Sequence, residues 1–87
     1  MKLRELKIED KGFDVRALQH CLNVHLDIKL KVDGYFGLKT QTAIYHYNGI
    51  KNIPNLNVCS LSTWYELLQD IGCEMYISDV LRLLPVI

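Results

Sequence analysis

The sequence predicts an all-α fold: a compact module of three helices with a short extra helix at the C-terminus. Two observations carry this assignment. Apolar residues recur at spacings of three and four in three separate stretches, each opened by a capping or turn residue. The chain also echoes itself. A shift of 23 residues lays Gly34 on Asn57, Leu38 on Leu61, Thr40 on Thr63 and Ile44 on Leu67, so a turn, a loop and a helix with Thr near its start occur twice. Residues 1–72 are assigned to the module and residues 73–87 to a helical extension that packs on the module or on a partner.

In chain order, Leu3, Leu6 and Ile8 form an extended arm laid over the core. Asp14 is the expected N-cap of the first helix, whose buried stripe is Val15, Leu18 and Leu22 with Cys21 at its edge. The stretch LDIKLKV (residues 26–32) alternates apolar and charged residues and, taken alone, scores as a short half-buried strand. Asp33-Gly34 is a strong turn signal, because Gly supplies the positive φ that such turns need. Gly37 marks a second tight spot, and the helix after it buries Ala43, Ile44 and Tyr47 before Asn48-Gly49 stops it. In the echoed loop Asn57 is expected to take the positive φ of Gly34. Ser60 caps a third helix, Leu61 to about Asp70, with Trp64, Leu67 and Leu68 facing inward. Ser78 opens the predicted fourth helix, which ends before Pro85.

Composition bounds the function. With 87 residues, 49% hydrophobic and 23% charged, the chain is one small globular domain. Its formal net charge of zero argues against a nucleic-acid backbone as partner. The charge is uneven: residues 1–51 carry nine Lys/Arg against six Asp/Glu, and residues 52–87 carry one against four. A mildly basic front suits an anionic polymer, and a solvated surface accounts for it equally well. No apolar run approaches the ~20 residues of a membrane helix, so no membrane partner is expected. The start, MKLRELKI, lacks the apolar core of a secretory signal. Synthesis in the cytoplasm is therefore expected, and Cys21, Cys59 and Cys73 are expected to be reduced and partly buried.

No catalytic constellation is legible. His20 and His25 are five residues apart, about 140° around a helix, and do not converge as a metal pair would. Nothing matches a His-Glu-x-x-His site, a serine elbow or a phosphate loop. The acids Asp14, Asp33 and Asp79 suit caps and turns. A non-enzyme without metal or cofactor is expected.

Three blocks in series resemble the peptidoglycan-binding-domain-like family. The first holds Gly12, Asp14, Val15, Leu18, Gln19, Leu22 and Asn23. The second holds Val32, Asp33, Gly34, Phe36, Gly37, Thr40, Ala43, Ile44 and Tyr47. The third holds Thr63, Trp64 and Leu67. The match spans about residues 3 to 70; Asn57 stands where the family usually has Gly, Asn48 replaces the usual Gln, and the tail from Ile71 lies outside the pattern. The resemblance implies a small three-helix module in which residues 26–32 form a loop. It also implies non-catalytic binding of bacterial cell-wall peptidoglycan, through a glycan or stem peptide. Family members usually accompany a wall-cleaving domain, and none is expected within this chain. The missing export signal and reduced thiols favour a protein-interaction role and also fit a phage lysis or injection component.

Phe36, Tyr47 and Trp64 suit the core, so a ligand needs solvent-facing groups beside the turn. Tyr35, Lys39, Gln41, Tyr45 and Tyr65 are the candidate ligand-binding residues. Tyr rings stack on sugar C–H faces, while Lys39 and Gln41 meet a carboxylate or an amide. Each has a plain structural reading beside the functional one: the tyrosines cover hydrophobic edges, and Lys39 and Gln41 belong to a solvated helix face. A second functional class stays open: a protein-interaction, adaptor or inhibitor module that reuses the same fold. The apolar tail (Met75, Tyr76, Ile77, Val80, Leu81, Leu83, Leu84, Val86 and Ile87) suits either the monomer's own core or a protein partner, including a second copy of the chain.

Overall fold

A computed structural model describes residues 3–70. The described residues contain three helices, α1 (Phe13–Leu26), α2 (Leu38–Ile50) and α3 (Leu61–Asp70), and no strands beyond two isolated bridges. The predicted C-terminal helix, the extension 73–87 and Cys73 lie outside the described residues.

α1 packs against both α2 and α3. Its stripe of Val15, Leu18, Cys21 and Leu22 meets Ala43, Ile44 and Tyr47 of α2 and Trp64, Leu67 and Leu68 of α3 in one core cluster. Leu3 and Leu6 of the N-terminal arm close this core, as expected, with Ile8 packed at its edge. The arm is tied to both loops. Leu6 and Cys59 exchange two backbone hydrogen bonds (2.9 and 2.8 Å), Phe36 N–H donates to Asp10 O (2.9 Å), and Glu9 N–H donates to Phe36 O (2.8 Å). Trp64 adds its indole N–H, which donates to the Arg4 carbonyl at 3.1 Å.

The start of α1 differs from the expectation. Asp14 is the second helical residue and not the N-cap; Gly12 holds that position at φ 140. The physical reason is the arm. Gly12 N–H donates to Gly34 O (3.0 Å), a geometry that needs the glycine's backbone freedom, and Asp14 is drawn to Arg4, whose Nε donates to Oδ2 at 2.7 Å.

Leu26 closes α1, and residues 27–32 form a loop. Asp27 turns left-handed at φ 52 and breaks the alternation, and Asn23 then clamps both backbone groups of Leu30, at 2.7 and 2.8 Å. A strand partner would have claimed those groups.

Asn48-Gly49 does not stop α2, which runs on to Ile50. Asn48 is fully buried, and its side chain is fixed by tertiary partners. It is therefore not available to cap its own helix, and the left-handed residue comes later, at Asn52 (φ 56).

Ser60 caps α3 as predicted. Thr63 N–H donates to Ser60 Oγ (3.2 Å) and Ser60 N–H to Thr63 Oγ1 (3.3 Å), a reciprocal pair that satisfies two donors at the helix start.

The 23-residue echo is structural. α2 and α3 start 23 positions apart, Phe36 and Cys59 are both fully buried and both bonded to the arm, and Thr40 and Thr63 are both buried. One detail differs. Gly34 takes φ 78, but in the second loop the positive φ falls at Asn55 (58) and not at Asn57. The two loops are pinned through different atoms, so they turn at different residues.

Candidate functional site

The turn before α2 is organised from below by Gln19, which is buried on α1. Its Oε1 accepts from Asp33 N–H (3.0 Å) and Gly34 N–H (2.9 Å). Its Nε2 lies within bonding distance of Asp33 Oδ1 (3.0 Å), Tyr35 O (2.9 Å) and Thr40 Oγ1 (3.2 Å). Asp33 Oδ1 also accepts Tyr35 N–H at 3.0 Å. These donations, from the Tyr35 backbone first and the Gln19 amide second, hold the Asp33 carboxyl below its ordinary range. The Gln19 amide and the Asp33 carboxylate thus bond the backbone at the point where Tyr35 leaves the loop.

Above this frame lies a groove of about 620 Å³, walled by Ile8, Leu30, Lys31, Tyr35, Leu38 and Lys39. Two of the predicted ligand-binding residues, Tyr35 and Lys39, meet here. Tyr35 is part-exposed, with Lys11 Nζ held 5.8 Å from its ring centroid. Leu38 is 75% exposed and stands outside the core cluster. Gln41 and Tyr45 come together elsewhere, one turn apart on α2, where with Thr42 and Asn57 they line a smaller recess of about 190 Å³. The Tyr45 ring stands edge-on to His46, centroids 6.2 Å apart. Tyr65 lines neither of these recesses; it is half-buried and packs against the core.

Lys31 and Leu38 escaped the sequence reading. Leu38 had a legible signal, since it falls off the Ala43–Ile44–Tyr47 face of α2. Lys31 had none, because the Asn23 clamp on Leu30 that steers its loop joins two segments.

Comparison with family models, with curated proteins and with solved structures finds no match to this chain.

Among the described residues no group of His, Cys, Asp and Glu side chains could hold a metal ion. His25 stands edge-on to Tyr47 with centroids 4.7 Å apart. Cys21 and Cys59 are buried, and Cys59 is a free thiol whose pKa burial pushes well above the ordinary thiol value. No helix among the described residues is long and apolar enough to cross a membrane.

Proposed function

We propose that this chain is a peptidoglycan-binding-domain-like module that binds bacterial cell-wall peptidoglycan without catalysing a reaction on it. The observation that carries the reading is the groove that gathers Tyr35 and Lys39 around the Asp33-Gly34 turn, beside an exposed leucine that the core does not use. Its size falls within the roughly 300–1,000 Å³ of small-molecule sites, and it mixes the two chemistries that a wall fragment needs. Tyr35 offers a ring to a sugar face, and Leu30, Leu38 and Ile8 offer an apolar floor. Lys31 and Lys39 donate to carbonyl and hydroxyl oxygens. The binding acts at the cell wall and uses no metal or cofactor.

The test is co-sedimentation of the purified 87-residue protein with insoluble sacculi, beside Tyr35→Ala and Lys39→Ala variants of confirmed fold. Saturable pelleting that the variants weaken is the expected result. Pelleting no greater than that of an unrelated control protein would sink the reading.

A protein-interaction role is the second reading, and a separate observation favours it. Leu26, Ile28, Ala43 and Ile50 line an apolar recess of about 390 Å³ flanked by Lys39 and His46, and Ile50 is 64% exposed. Sedimentation equilibrium of the wild type and Ile50→Glu addresses self-association. A wild-type dimer abolished by the substitution supports this reading, and a monomer at every concentration counts against self-association.

A further inference from the structure

Across Tyr35 from the large groove lies a second recess, of about 370 Å³, between the start of α1 and the Asp33–Tyr35 turn. Its walls carry two cations, each packed over an aromatic ring. Arg16 Cζ stands 5.8 Å from the Phe13 centroid, and Lys11 Nζ stands 5.8 Å from the Tyr35 centroid. Phe13 is 79% exposed, so its ring serves this surface and not the core.

The acids nearby are engaged elsewhere. Asp14 and Asp10 face Arg4, at 2.7 and 3.9 Å. Asp33 accepts from Gln19 and from the Tyr35 N–H. Two cationic heads packed over ring faces thus stand over one recess, whose one carboxylate, Asp33, takes the Gln19 amide and the Tyr35 N–H at Oδ1.

The internal repeat sharpens the contrast. Counted back from the buried amide that pins each loop, Gly12, Phe13 and Arg16 stand to Gln19 as Gln41, Thr42 and Tyr45 stand to Asn48, and Gly34 corresponds to Asn57 in the 23-residue echo. The recess of Gln41, Thr42, Tyr45 and Asn57 is therefore the counterpart of this one, in the same place on the second half and without a cation. One scaffold position has been given two chemistries.

We propose that the Lys11–Phe13–Arg16–Tyr35 recess is a carboxylate site. The Arg16 fork and the Lys11 ammonium take the carboxylate, while the Phe13 and Tyr35 rings flank the residue that bears it. This deepens the wall-binding reading and rests on it: the ligand is a free carboxylate of a stem peptide, and Tyr35 is shared between this recess and the large groove.

The experiment is co-sedimentation of the 87-residue protein with sacculi stripped of phosphate polymers. One portion is untreated, and the other has its carboxylates converted to amides. Arg16→Gln and Lys11→Gln are compared with Lys29→Gln, an equal charge loss at an exposed loop position, each checked for fold by circular dichroism and urea midpoint. Amidation is expected to weaken binding about tenfold, and Arg16→Gln by a similar factor on untreated sacculi, while Lys29→Gln stays within about twofold of wild type. Equal binding to amidated and untreated sacculi would overturn the carboxylate site while leaving wall binding intact. So would variants indistinguishable from Lys29→Gln. Failure to pellet with either preparation overturns the wall-binding reading and this proposal with it.

Discussion

Asn48 does for the loop ahead of α3 what Gln19 does for the loop ahead of α2. Each is a buried amide on the preceding helix. Gln19 donates to Tyr35 O and Asn48 to Val58 O (2.8 Å), two carbonyls that correspond in the 23-residue echo. Each also meets the buried Thr of the following helix, Gln19 at Thr40 Oγ1 (3.2 Å) and Asn48 at Thr63 Oγ1 (2.9 Å). The difference is one methylene. Gln19 reaches the N–H groups of Asp33 and Gly34 with its oxygen, whereas Asn48 gives its nitrogen to a second carbonyl, Leu56 O, and its oxygen to Thr63. All these side-chain groups are satisfied; among the described residues no buried side-chain nitrogen or oxygen lacks a partner.

Gln19→Leu keeps the side chain's bulk and strips this frame from the first loop. The N–H groups of Asp33 and Gly34 lose their acceptor, and Thr40 loses a partner inside the core. A loss of about 2–4 kcal/mol is expected, from the cost of leaving several buried groups unsatisfied. Urea unfolding measures it directly; a loss under about 0.5 kcal/mol would mean that the amide does not organise the turn.

The Asn48–Thr63 contact is the corresponding lock in the second half, and a double-mutant cycle isolates it. Asn48→Ala and Thr63→Val should each destabilise, with a coupling of about 1 kcal/mol between them, since the two side chains touch at 2.9 Å in a fully buried setting. Strict additivity would show that the loop and α3 are held independently.

Asp33 gives the frame a pH dependence. Its folded-state pKa lies below the ordinary value of 3.8 because the Tyr35 N–H and the Gln19 amide favour the carboxylate. The stability it contributes is therefore complete above that ordinary value and lost as pH falls through the lower, folded-state value. Asp33→Asn keeps an oxygen acceptor and removes the charge. The stability difference between wild type and variant should be flat above about pH 5 and narrow below about pH 4. Urea midpoints across that range check it; a difference that first changes near neutrality would point to another group.

Much of the fold was legible because helices announce themselves locally. The Val15, Leu18 and Leu22 stripe, the Ser60 cap and the 23-residue echo all appear in the sequence and all stand in the structure. The misses share one cause, a tertiary contact overriding a local signal. Asp14 has the chemistry of an N-cap, but Arg4 takes its carboxylate and the arm sets the helix start at Gly12. Asn48 beside Gly49 has the signature of a helix stop, but the second loop claims its side chain. The candidate site divides in the same way. Exposed Tyr35, Lys39 and Tyr45 follow from helix faces and turn position, whereas the groove that joins Tyr35 to Lys31 and Leu38 forms only when the arm, a loop and α2 come together.

The proposed occupant of the groove around Tyr35, Leu38 and Lys39 is a wall fragment. The most direct measurement is an amide chemical-shift titration of the isotope-labelled protein with soluble fragments from a muramidase digest of sacculi. Saturable shifts concentrated at residues 30–39, with Tyr65 unmoved, are the result expected. Shifts confined to α3, or none at millimolar fragment, would contradict it.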